Sequence, residues 1–176
     1  MSVYVERIRK GGLSSLYPMR VLFVTGIILV IDQFTKYLTR TYMDLYESVP
    51  VINNFFHLTY VTNKGMAFGI DFPGGIYFFT TASAIMTVVL IWYIWLERKG
   101  DFLLRLSLAM ILAGAIGNLI DRLFLGEVTD FMDFMFGSYH WYIFNLADAS
   151  VTIGMIIFLI YSFFIQPKTE VSSGDS

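Results

Sequence analysis

Four separate stretches of this chain are apolar for the length a helix needs to cross the hydrocarbon core of a bilayer, about 20 residues. They run from Met19 to Leu38, Ile76 to Leu96, Phe102 to Phe124 and Trp141 to Ile165. A water-soluble domain of 176 residues with 56% hydrophobic and only 15% charged residues has too little polar surface to cover itself. The chain is therefore read as a membrane protein. Its 176 residues (1–176) are expected to form one integral membrane domain, an all-α bundle of four transmembrane helices. The apolar run Val21 to Ile31 follows basic residues as a signal peptide would, but no small-x-small cleavage site ends it. The pattern instead continues helically through Asp32, Gln33, Phe34, Thr35 and Lys36.

The residues least compatible with lipid, Asp32, Asn118, Asp121, Arg122, Asn145 and Asp148, fall at ends of these runs. Such groups are costly at membrane depth and usually line a bundle interior or a watery cavity, so their grouping bears on function. Lys and Arg are retained on the cytoplasmic side. Arg7, Arg9, Lys10, Arg20, Arg98, Lys99, Arg105 and Lys168 lie on one side, against Lys36, Arg40, Lys64 and Arg122 on the other. Both termini are thus expected in the cytoplasm. Asp32 stands about 14 residues past Pro18, roughly 20 Å along a helix, towards the outer leaflet. Asn118, Asp121 and Arg122 close the third run and Asn145 and Asp148 open the fourth, so all six residues converge on the outer face.

Outside the runs, Phe55 to Thr62 is rich in β-branched and aromatic residues after the Asn53-Asn54 turn, which predicts a small extracytoplasmic β-sheet within about residues 40–75. Gly65, Gly69, Pro73, Gly74 and Gly75 mark turns. Gly126 to His140 mixes Asp130 and Asp133 with Phe and Met and suits an amphipathic segment at the membrane interface. Ala113, Gly114, Ala115 and Gly117 would let a neighbouring helix approach closely. The tail, 166–176, reads as cytoplasmic.

The chemistry open to the chain is narrow. A net charge of -2 without a basic stripe argues against a nucleic-acid partner. Zero Cys removes thiol nucleophiles, disulfides and cysteine-ligated metals, and His57 and His140, in outer loops, lack metal-ligand spacing. Ser48, Ser138 and Ser150 sit in no nucleophile motif that Lys36 or Lys64 would serve. Carboxylates remain. Two of Asp32, Asp121, Asp130, Asp133 and Asp148 held close would share one proton, giving a general acid beside a general base; spacing leaves open which two. Asp32 and Lys36 read as an ion pair one turn apart, and Asp121 equally as a helix-end salt bridge. A proton-coupled transporter is the alternative, but relays need polar groups across the membrane, and the second run has only Thr87 between Ser83 and Glu97.

Five motifs in order resemble those of lipoprotein signal peptidase (signal peptidase II), the intramembrane aspartic peptidase family of bacteria. They are Asp32 to Lys36, Asn63 to Phe68, Gly114 to Arg122, Val128 to Phe131 and Phe144 to Asp148. One departure is Ala113, where the family commonly has another Gly. The resemblance implies Asp130 and Asp148 as the catalytic dyad. It implies that Asp32, Lys36, Asn63, Gly65, Asn118, Asp121, Arg122 and Asn145 bind substrate or support the dyad, and returns Asp133 to a solvated surface charge. It further implies a lipidated prolipoprotein substrate cut just before its diacylglyceryl-modified Cys, surrounding membrane lipids as partners, no metal or organic cofactor, action as a monomer, and residence in the bacterial cytoplasmic membrane with the site near its outer face.

Overall fold

The computed structural model describes residues 17–65, 74–137 and 139–165. Four helices span: α1 (Tyr17–Tyr42), α2 (Gly75–Leu96), α3 (Phe102–Leu125) and α4 (Leu146–Ile160), the last continuing as a π-helical turn, Tyr161–Ile165. Local chemistry sets their ends. Asp101 caps α3, its side chain accepting the Leu103 N–H at 2.7 Å. Gly126, at φ 76°, supplies the left-handed residue that stops it. α1 runs past its expected end to Tyr42, carrying Thr39 and Arg40 up to the sheet.

The fourth helix starts at Leu146, five residues after the beginning of its apolar run. The reason is twofold. Asn145 adopts an extended conformation and forms a reciprocal capping box with Asp148. The preceding residues are held by a strand instead: the Trp141 N–H donates to Phe134 O, and Phe144 and Met132 exchange backbone hydrogen bonds.

Outside the helices the chain forms a four-stranded antiparallel sheet in the order β1 (Ser48–Ile52), β2 (Phe56–Asn63), β3 (Val128–Phe136) and β4 (Tyr139–His140). The segment read as amphipathic takes the form of β3, which pairs with β2, and β4, which pairs with β3. The register sets Val61 opposite Asp130 and Asn63 opposite Val128.

α3 is the hub. Of its most apolar stretch 61% is buried, against 11 to 22% for the other three helices, whose remaining surface is left for lipid. Leu104, Leu108, Ile111 and Leu112 pack with Leu90, Ile94 and Tyr161. Two glycines permit the closest approach: a Cβ on Gly114 would overlap the Ala147 carbonyl of α4, and one on Gly117 would meet Asp32 Oδ2 of α1 at 2.6 Å. Trp92, Trp95 and Trp141 are all exposed, as interfacial residues are.

Candidate active site

The polar ends of α1, α3 and α4 meet beneath the sheet. Lys36 is fully buried, and its ammonium lies 3.1 Å from Asp32 Oδ2 and 3.2 Å from Asp121 Oδ2. It donates to Asn118 Oδ1 at 2.9 Å, so its three hydrogens match three acceptors. Asp32 Oδ1 takes the otherwise orphaned Ala147 N–H of α4 at 2.9 Å, and Asp121 Oδ2 the Thr129 N–H of β3 at 3.1 Å. Arg40 adds a second cation 4.0 Å from Asp121 and donates to Thr129 Oγ1 at 3.0 Å. Gln33 Nε2 lies within 3.2 Å of Asp121 Oδ1 and 3.1 Å of both Asp32 Oδ2 and Gly117 O. Desolvating such charges offsets most of their attraction, so this network's main effect is positional. It locks α1, α3, the first turn of α4 and the start of β3 together.

On this base sit Asp130, from β3, and Asp148, from the first turn of α4. Asn145 joins them. Its Nδ2 donates to Asp130 Oδ1 at 2.6 Å, its Oδ1 accepts the Asp148 N–H at 3.0 Å, and its own N–H donates to Asp148 Oδ2 at 3.2 Å. Asn118 Nδ2 holds the other Asp148 oxygen at 2.7 Å while Asn118 Oδ1 takes Lys36. Burial first, and then the charge of Asp148, pushes Asp130 up to about 7. Near neutral pH this carboxyl is thus poised between its protonated and ionised forms. Asp148 lines a cavity of about 480 Å³ whose other walls are Trp141, Tyr142, Phe144, Ala149, Thr152 and Ile153.

Most of the residues singled out in the sequence meet here: Asp32, Lys36, Asn118, Asp121, Asn145, Asp130 and Asp148. Arg122 turns aside, Nη1 donating to Ser83 Oγ of α2 at 3.2 Å. Asn63 and Gly65 stand at the end of β2, where Gly65 at φ 106° donates its N–H to Asn63 Oδ1 at 2.9 Å, and a Cβ on it would strike the Gly75 backbone. Met66, Ala67, Phe68, Gly69, Pro73 and Ser138 lie outside the described residues.

Asp133 corrects the sequence reading. It is buried rather than solvated, because Thr59 of β2 donates to it at 2.8 Å and His140 of β4 lies 3.1 Å away. His57 and His140 are likewise strand residues, not loop residues. Ser150 and Ser48 bond to the Ala147 carbonyl and to Thr59, while Lys36 faces carboxylates and Lys64 faces Glu127 at 3.9 Å, so neither serine has a lysine base. Gln33, Arg40, Thr129 and Tyr142 were not singled out. Gln33 and Thr129 adjoin Asp32 and Asp130 within their motifs, which was a usable signal; Tyr142 carried none.

A bundle of four membrane-spanning helices that holds two coupled carboxylates under a small sheet defines a multi-span membrane peptidase of the aspartic type. The family described as signal peptidase (SPase) II matches residues 24–164. The lipoprotein signal peptidase of Syntrophus aciditrophicus is 41% identical over 157 residues, covering 86% of this chain and 95% of the relative. That of Desulforapulum autotrophicum is 42% identical over 151 residues, covering 83% and 93%. Among solved structures, a bacterial membrane enzyme determined by the in meso method at 1.9 Å resolution superposes with a TM-score of 0.74 at 33% identity, covering 83% of this chain and 94% of that one. The chain belongs to the signal peptidase II family.

Proposed function

We propose that this lipoprotein signal peptidase cuts diacylglyceryl-modified prolipoproteins just before the lipidated Cys, with Asp130 and Asp148 as its catalytic dyad. The observation that carries the reading is the Asn145 side chain: one amide grips Asp130 and caps the turn bearing Asp148, so two carboxylates from distant parts of the chain are held as a unit. Asp130 carries the shared proton and Asp148 is the base. As water attacks the scissile carbonyl, one of its protons passes to Asp148 while the Asp130 carboxyl donates a hydrogen bond to the oxygen on which charge develops; Asp148 then gives that proton to the departing nitrogen as the C–N bond breaks, which restores the dyad. Asp32, Lys36, Asn118, Asp121 and Asn145 hold this geometry, Asn63 and Gly65 would meet the substrate backbone, and Arg122, bonded to Ser83 of α2, would support the site from the side.

The apolar walls of the cavity suit a substrate anchored by acyl chains in the same leaflet. Eight of twelve Lys and Arg on one side support cytoplasmic termini in a bacterial inner membrane, with the dyad near the outer face. Nothing in the dyad chemistry calls for a second copy, so the enzyme acts as a monomer. Asp130→Asn and Asp148→Asn, expressed at normal level, should each accumulate uncut, lipidated precursor on a gel. Normal processing by either variant would overturn the dyad assignment.

A further inference from the structure

The cavity wall beside Asp148 holds a phenol that the dyad chemistry leaves unused. Tyr142 lies in the extended stretch between β4 and the cap Asn145, half exposed, and lines the same cavity as Asp148. Its hydroxyl oxygen is the acceptor for Asn63 Nδ2 at 2.8 Å. The direction of that bond is forced. Asn63 Oδ1 is taken by the Gly65 N–H, so the amide presents its NH₂ to the tyrosine, and an NH₂ only donates. The hydrogen of Tyr142 is consequently aimed elsewhere, and it is donated to none of the described residues. Burial, and after it the charges of Asp130 and Asp148, raise the phenol above its ordinary value of 10, so it keeps that hydrogen at working pH. The result is a preset donor, fixed from behind by the turn at Gly65, beside the catalytic pair.

We propose that Tyr142 is a substrate-binding residue that donates its hydroxyl hydrogen to a backbone carbonyl of the peptide drawn past Asp148. This deepens, and rests on, the dyad reading above. The acceptor is peptide rather than lipid because the group beside an amide-cleaving dyad is the scissile peptide itself. An extended chain sets a carbonyl about every 3.3 Å, so the neighbours of the scissile one fall within reach of the cavity wall. Besides the phenol, only Asp148 and Thr152 bring side-chain oxygens to this wall, and among the described residues neither is hydrogen-bonded to Tyr142.

The test uses the full chain in lipid vesicles with a purified diacylglyceryl-modified prolipoprotein, comparing native enzyme, Tyr142→Phe and Asp148→Asn. Removing one neutral hydrogen bond that serves ground and transition states alike should raise KM about three- to tenfold with kcat and melting temperature unchanged. A KM within twofold of native, a loss confined to kcat, or a KM change accompanied by a lowered melting temperature overturns the proposal. Cleavage by Asp148→Asn would instead overturn the dyad reading, and the KM of Tyr142→Phe would still decide the role of the hydroxyl.

Discussion

Replacing Asp130 with Asn should abolish cleavage and yet make the protein more stable, by an amount that depends on pH. A carboxyl in the unfolded chain titrates near 3.8, whereas Asp130 is pushed up to about 7 by burial and by Asp148. The folded chain thus holds a proton that the unfolded chain has released, and stability falls as pH rises from about 4 to about 7. At about 1.4 kcal/mol per pH unit, roughly 3 kcal/mol is lost between pH 5 and pH 7. Asn does not titrate, and its Oδ1 still accepts from Asn145 Nδ2, which now holds Asp130 at 2.6 Å. The advantage of Asp130→Asn over native should therefore grow by about 3 kcal/mol from pH 5 to pH 8, a difference in melting temperature of about 6–12 °C for a chain of this size. Thermal unfolding in detergent across that pH range, followed by intrinsic Trp fluorescence, measures it directly. A stability difference that stays flat with pH, or a variant less stable than native at pH 8, would refute the claim that Asp130 is held protonated against its ordinary tendency.

The same proton should shape the rate. Cleavage loses its acid as pH rises through about 7, so kcat should decline on the alkaline side, and initial rates from pH 5 to 9 will show whether that limb exists. Lys36→Met leaves Asp32 and Asp121 without the ammonium now 3.1 and 3.2 Å away, and should cost about 3–5 kcal/mol of unfolding free energy; retention of the native melting temperature would contradict the network. Gly117→Ala, which in an open helix would gain up to about 1 kcal/mol, should instead lose about 1–3 kcal/mol and lower activity, because its Cβ would press on Asp32 Oδ2 at 2.6 Å. Asn145→Ala should cost about 1 kcal/mol for the lost cap and depress kcat far more than that predicts, since Asp130 loses its donor; an unchanged kcat would separate the cap from the site.

The helices were legible because a bilayer imposes a length, and length survives in sequence. The Asp32–Lys36 pair was legible too, since helical spacing brings residues four apart together. What resisted reading depended on partners far away in the chain. Asp133 reads as a solvated charge until Thr59 and His140 arrive from other strands to satisfy it. The stretch containing it mixes carboxylates with Phe and Met in a way that fits either period, and only β2 decides in favour of a strand. Trp141 to Phe144 are apolar enough for a helix, yet their backbone bonds are spent on β3, and Asn145 delays the start of α4. Neither motif composition nor hydropathy carries information about Tyr142, whose position follows from that delay.

Asn145 is both the stopper on a helix end and the clasp on the acid, and this ties two temperatures to one residue. An exposed helix end would fray before its bundle melts, but this one is buried and tied to Asp32 of α1 through the Ala147 N–H, so it cannot loosen alone. The temperature at which cleavage is lost should accordingly coincide with the temperature at which the four helices come apart. Heat would silence the site and open the bundle in one event.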